Sequence, residues 1–366
     1  MTKLDTMLRR AVAGAALTLP ELEYLLALED PAARDALYSA AREVKLREVG
    51  AGVYLRGLVE TSNLCTRDCF YCGIRKSNFS VRRYELTLEE ILAGARLASE
   101  FGYGAAVLQG GERSDARFVE FVTEAVRRIG ELPHPPALTL SFGEQTSETY
   151  RRWREAGAER YLLRIETSDP ELYAALHPDS RFDERRAALI RLREAGFQVG
   201  TGVMIGLPGQ SIAMLARDVE FFRELDVDMI GMGPWLPHRD TPLGRAHPAT
   251  PEAAERRLRL GLNMIAVTRL QLRDVNIAAT TALQSLSPAD GRERGILAGA
   301  NVVMPNVGGL EHRRDYTLYD GKAGMDENAE SARRKLDESL AKIGEFVRYG
   351  VSGTPLHYLK RTAAKE

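Results

Sequence analysis

Val53-Tyr-Leu-Arg-Gly-Leu-Val-Glu60 runs directly into Thr61-Ser-Asn-Leu-Cys65-Thr-Arg-Asp-Cys69-Phe-Tyr-Cys72-Gly73. The first run is short, apolar and β-rich, which predicts a strand. The second packs three thiols into eight residues. A strand that ends in a loop full of reactive side chains is the unit from which the rest of the chain can be read.

That unit recurs. Further candidate strands are 105–108, 137–142, 161–166, 199–205, 228–232, 276–281 and 301–304. Amphipathic stretches lie between them, at 87–101, 116–129, 147–156, 183–195, 212–225, 251–271 and 289–297. Gly102, Gly157 and Gly196 follow three of these helices, where a left-handed stop is needed. Eight alternating β and α units imply parallel strands with right-handed crossovers. They predict an α/β fold, a complete (β/α)8 TIM-type barrel. An open doubly wound sheet is the alternative, but no strand runs into G-x-G-x-x-G. Residues 4–49 read as helices, with Pro20 and Pro31 near first turns. The expected organisation is an N-terminal helical extension over 1–50, the barrel over 51–310, and a C-terminal helical segment over 311–366 that packs on the barrel.

The 366 residues carry Lys+Arg 50 against Asp+Glu 51, a net charge of -1. No bulk charge points to nucleic acid or to a strongly charged partner. The apolar stretch 11–20 is too short to span a bilayer and lacks a cleavage signature. A cytoplasmic protein with no membrane or nucleic-acid partner is expected.

Cys65, Cys69 and Cys72 are the chain's three cysteines, so no disulfide framework exists. Thiolates select soft metals. Structural zinc needs four closed ligands, and the six histidines show no H-x3–5-H pairing. The spacing C-x3-C-x2-C suits three irons of one 4Fe-4S cube with the fourth iron open to S-adenosylmethionine (SAM). Gln109-Gly110-Gly111-Glu112 follows the second strand, where Gly111 permits close backbone approach and Glu112 can accept from an ammonium. Arg164 and Glu166 close the fourth candidate strand. Its alternation would put them on one face.

The cysteine loop resembles the radical SAM superfamily, in which an aromatic before the last cysteine, here Tyr71, lies against the adenine. A narrower resemblance covers Val53 to Tyr319. It rests on Glu60–Cys65, Arg83-Tyr84, Leu108–Glu112, Ala156–Thr167, Gly206-Leu-Pro-Gly-Gln210, Gly233–His238, Ala279-Thr-Thr-Ala282 and Asn301–Asn306. These segments are similar to the HydE family, radical SAM maturases of FeFe-hydrogenase. The resemblance implies the same barrel fold, one 4Fe-4S cluster on Cys65, Cys69 and Cys72, and SAM held by Tyr71, Gly111, Glu112, Glu166, Arg185 and Met204. It implies catalytic and substrate-pocket roles for Arg164, Thr280, Thr281, Met304 and Tyr319. The implied substrate is a small iron–cysteine complex bearing carbonyl and cyanide. The implied partners are the sister maturases HydG and HydF and an electron donor.

Two departures stand out. Ile165 occupies a position where HydE sequences often carry His. Residues 321–332 hold no cysteine, so the cysteine-ligated second cluster of some family members cannot form there. A lysine mutase resembling methylornithine synthase is the alternative function, and a non-catalytic metal-binding assembly protein a more distant one. Biotin synthase fits less well, because its sulfur-donating second cluster needs more cysteines.

Overall fold

In the computed structural model, which describes residues 2–364, the strand–loop unit repeats as the sequence predicts. The strands are β1 (Gly52–Ser62), β2 (Ala105–Gly110), β3 (Ala137–Ser141), β4 (Arg160–Leu162), β5 (Gln198–Thr201), β6 (Met229–Ile230), β7 (Asn276–Ile277) and β8 (Val302–Val303). All pair in parallel and in chain order from β1 to β7. β8 pairs with β1 through Tyr54–Val302 and Leu55–Val303. The Ala278–Val302 bridge joins β7 to β8 and closes the barrel.

The later strands are shorter than expected. The run expected at 161–166 is a continuous strand only as far as Leu162 and pairs again at the isolated Glu166–Val203 bridge. The run expected at 199–205 breaks after Thr201 and resumes at Met204–Ile205. Gly202 explains the break. A Cβ there would sit 2.1 Å from the Gly231 carbonyl oxygen, so β5 and β6 approach too closely for a side chain. Arg164 and Glu166 therefore lie beyond the strand, in a loop, and Glu166 adopts φ 66°.

Helices Lys3–Val12, Leu19–Leu26 and Pro31–Glu48 precede the barrel. Thr2 caps the first by accepting from Asp5 N–H, and Asp30 caps the third with Pro31 in its first turn. They pack outside the barrel, against Ile212–Glu224 and Pro251–Gln271. Their leucines, Leu22, Leu25, Leu26 and Leu37, are fully buried there.

Both ends of the barrel are covered by the C-terminal part of the chain. Residues 315–323 cross the carboxyl ends of the strands. There Asn63 donates to the Asp315 carbonyl, Gly73 N–H to Leu318 and Asp320 N–H to Pro237. Residues 353–361 cross the amino ends. There Arg160 donates to Thr354, Asn276 to the Gly353 carbonyl and Arg361 to Asp228. Among the described residues no helix is long and apolar enough to cross a membrane.

Candidate active site

The cysteine loop leaves β1 and is tied to the turn after β2. Thr66 donates both its N–H and its hydroxyl to the Glu112 carbonyl at 2.9 Å, and Gly111 N–H donates to Ser62. Gly111 is required by this contact, because a Cβ would lie 2.3 Å from the Leu64 carbonyl oxygen and 2.8 Å from Cys65 Cβ. The three thiols are free and half-buried. Burial pushes all three up, Cys69 to about 12. Ligation to a metal reverses that preference outright.

Tyr71 and Met204, far apart in sequence, meet on one apolar shelf with Leu176, Leu207 and Trp235. Burial lowers His177 to about 4, so it is neutral. Its Nδ1 donates to the Tyr173 carbonyl at 2.8 Å, which leaves Nε2 to accept from the Tyr71 hydroxyl at 3.0 Å. Trp235 Nε1 is buried and has no partner. Gln210 accepts from Gly206 and Leu207 N–H and donates to the Met204 carbonyl, so the Gly206–Gln210 turn is stapled by its last residue.

Beside the shelf is a charged group. Glu112 accepts from Arg67 Nε at 2.5 Å and lies 3.5 Å from Arg185 Nη2. Arg185, on helix Phe182–Glu194, also reaches Glu144 at 2.6 Å, and Arg67 lies 3.5 Å from Glu144. The carboxylates around Arg185 hold its guanidinium well above its usual range. Arg164 Nη2 sits 3.0 Å from Glu166 Oε2 without hydrogen-bond geometry. Burial raises the Glu166 carboxyl, and Arg164 opposes the rise.

The remaining predicted residues also lie at the carboxyl ends. Thr281 and Met304 line one cavity of about 60 Å³ with Leu58 and Lys322. Thr280 caps the helix Thr281–Leu286, and its Oγ1 is buried without a partner. Tyr319 meets Ser285 and feels the charge of Arg164. Ile165 is core, its N–H donated to Thr201.

Several residues here were given no role by the sequence reading: Arg67, Glu144, His177 and Trp235, together with Tyr316 and the Lys322–Glu60 pair at 2.5 Å. Glu144 had a usable signal, since it follows β3 as Glu112 follows β2. Asp169-Pro170 had another, an N-cap with Pro in the first turn, marking the missed helix Pro170–Leu176 that carries Leu176 to the shelf.

A closed barrel with a three-thiol loop, an apolar shelf and opposed charges at the carboxyl ends of its strands defines a radical SAM enzyme. A Radical SAM superfamily model matches residues 59–222. The FeFe hydrogenase maturase subunit HydE of Thermotoga maritima is 42% identical over 302 residues, 82% of this chain and 83% of its own. The chain belongs to the HydE family. A 3-methylornithine synthase of Methanosarcina barkeri is 30% identical over 94% of this chain and 93% of its own. Among solved structures, methylornithine synthase PylB superposes with TM-score 0.79 at 27% identity, over 94% of this chain and 98% of its own. The hydrogenase maturase HydG gives 0.81 at 18% identity, over 99% and 80%, and so shares the fold. The cofactors of this enzyme class are a 4Fe-4S cluster and SAM, and the donor set described above fits both.

Proposed function

We propose that the chain matures FeFe-hydrogenase by radical chemistry at the sulfur of a cysteine-bound iron carbonyl cyanide complex. The observation that carries this reading is the 42% identity to HydE over 82% of the chain. Cys65, Cys69 and Cys72 hold the cluster. When bound, the cluster supplies the electron that cleaves SAM to methionine and a 5′-deoxyadenosyl radical.

The protein's own groups bind and orient. Glu112 accepts from the methionine ammonium, and the Arg185 fork donates to the carboxylate. The 3.5 Å between these two side chains matches a zwitterion whose opposite charges are one carbon apart. Tyr71 and Met204 shelve the adenine, Gly111 lets the chain pass close, and Glu166 accepts from the nucleoside. Arg164, Thr280, Thr281, Met304 and Tyr319 form the catalytic pocket that fixes the substrate near the radical. Thr280 Oγ1 and Trp235 Nε1, buried without partners, are donors free for bound molecules. HydG is the source of the substrate, HydF takes the product, and a one-electron donor acts alongside them in the cytoplasm.

The test is anaerobic turnover of the reconstituted enzyme with an iron–cysteine carbonyl cyanide complex and, separately, with lysine. Consumption of the iron complex together with SAM supports the maturase. Formation of methylornithine from lysine would instead establish the second reading, which the 30% identity to methylornithine synthase over 94% of the chain keeps in play.

A further inference from the structure

Arg83 lies outside every role assigned above, yet its contacts are unusual. Nη1 donates to the Asn63 carbonyl at 2.6 Å and to that of Ile74 at 2.8 Å. Nη2 donates to the carbonyls of Arg75 at 2.5 Å, Asn78 at 3.0 Å and Lys76 at 3.4 Å. Asn63 precedes Cys65 by two residues, and Ile74 follows Cys72 by two. One guanidinium therefore joins the chain where it enters the cysteine loop to the chain where it leaves. Carbonyls at such a bend have no helix or sheet partner, and five donors in a fixed fork suit them.

The charge is equally pointed. Among the described residues no carboxylate pairs with Arg83, whereas Arg75 pairs with Asp68 and Arg82 with Asp315. Burial holds the Arg83 guanidinium below its usual range, and the ionisable groups it faces are Cys65 and Cys72, which carry charge only as thiolates. Neighbouring contacts hold the fork in place. Asn63 is fully buried, donates to the Arg82 carbonyl and accepts from Tyr84 N–H. Asn78 donates to the Gly73 carbonyl at 2.6 Å.

We propose that Arg83 is a positioning residue for the cluster, tying the two ends of the cysteine loop together and supplying a positive charge that has no carboxylate partner among the described residues. This rests on the assignment of the cluster to the three cysteines. A cation there favours the more negative, reduced state of the cluster. Its removal therefore moves the midpoint potential to a more negative value.

The experiment compares reconstituted holoproteins of wild type, Arg83→Lys, Arg83→Gln and Cys65→Ala. Three readouts are needed: iron retained after desalting, midpoint potential from a titration followed by electron paramagnetic resonance, and melting of each apo-protein. Arg83→Lys keeps the charge but loses the fork. It should lose cluster affinity by about ten-fold or more and hold its midpoint near wild type. Arg83→Gln should lose affinity and also shift negative, and both apo-proteins should melt like wild type. Wild-type iron retention and midpoint in Arg83→Gln would overturn the proposal. So would an apo-protein melting loss that parallels the iron loss, since that pattern assigns Arg83 to barrel stability. Cys65→Ala separates the two layers. If it keeps its cluster, the cysteine assignment falls and the role of Arg83 with it. If it loses the cluster while Arg83→Gln does not, only the role of Arg83 falls.

Discussion

The two ends of the barrel treat buried charge in opposite ways. At the amino end, charges are saturated by the protein itself. Arg269 is fully buried and donates to the carbonyls of Gly299, Arg273 and Val275 and to Asn301 Oδ1. Lys45 and Glu345, both without side-chain exposure, pair at 2.7 Å. Arg361 binds Asp226 and Asp228, and His357 bridges Asp226 and Asp274. Arg56 and Arg160 are exceptions: Arg56 has one N–H aimed at Met229 Sδ and two nitrogens without partners, and Arg160 Nη1 has none. At the carboxyl end, three thiols are pushed toward the neutral form, the Arg164–Glu166 pair lacks hydrogen-bond geometry, and Thr280 and Trp235 keep unused polar atoms. Unsatisfied groups cost stability unless something binds them. One end is built to hold the fold and the other to hold ligands, as the polarity of a (β/α)8 barrel requires.

The sharpest break in that comparison comes from the cysteine loop. On the proposed assignment Cys65→Ser replaces a soft ligand with a hard one. Reductive SAM cleavage should vanish, while melting of the apo-protein stays within a few degrees of wild type, because no core contact is lost. Iron analysis should give about four irons per wild-type chain, as one cube implies. Eight irons, or undiminished cleavage in the variant, would contradict the single-cluster assignment.

The mirror-image change belongs at the amino end. Glu345→Ala leaves Lys45 buried and unpaired, a loss of about 3–5 kcal/mol. Burial already pulls Lys45 down to about 8 with its partner present. Without Glu345 the native state binds fewer protons than the unfolded chain over a wider pH range. The variant should therefore regain stability as pH rises from 6 to 9. SAM cleavage per folded molecule should not change. Denaturant melts at several pH values, with activity corrected for folded fraction, test both statements. The double change Lys45→Met with Glu345→Leu should recover most of the stability.

Glu112→Gln and Arg185→Ala probe the ligand end more gently. On the proposed assignment each removes a charge-assisted hydrogen bond to SAM, roughly 1.5–3 kcal/mol, or about one to two decades in affinity. Cluster content should persist in both. Arg185→Ala also frees Glu112 and Glu144 from a shared cation, so its effect should be the larger. Equilibrium binding of SAM to the reconstituted proteins measures this, and wild-type affinity in both variants would sink the two roles.

How much of this the sequence disclosed depends on how local each signal is. The eight strand–helix units were legible because each is a short run with its own period. Cys65, Cys69 and Cys72 were legible because their spacing is itself the signal. Strand ends were not. The break at Gly202 comes from its close approach to the Gly231 backbone on the neighbouring run, which no single segment contains. Arg67 was hidden among ordinary charges, since its value comes from reaching Glu112 and Glu144, two loops away. The C-terminal segment was expected to pack on the barrel, with Tyr319 over its opening, but the covering of both ends was not expected, because the partners of residues 315–323 and 353–361 lie up to 262 positions distant. Ile165 ran the other way. The sequence marked it as a departure, and it proves to be an ordinary core side chain at 0% exposure.

The smallest expected effect lies at the amino end and depends on pH. The helix Leu356–Ala363 has no buried residue and is held there by His357, Lys360 and Arg361. Asp274 and Asp226 hold the His357 imidazolium above its usual value, Asp274 chiefly. His357 and Lys360 in turn hold Asp274 below the usual carboxylate range. A histidine raised in this way contributes fully below its unfolded value of about 6.5 and loses that contribution as pH climbs through its folded value. The depressed carboxylates contribute above about 3.9 and lose it as pH falls. The tail is therefore held most firmly between about pH 4 and 6.5. Because the bridge is partly exposed, its loss should cost about 1 kcal/mol or less. Hydrogen exchange at the Leu356–Ala363 amides should quicken as pH rises from 6.5 to 8, once the intrinsic rate is removed, while the amides of β1 and β2 do not respond. His357→Gln should flatten that response without touching SAM cleavage. If the tail amides of wild type show no pH response beyond the intrinsic rate, the His357 bridge does not hold the tail, and the amino end is closed by the remaining contacts of Arg160, Asn276, Lys360 and Arg361.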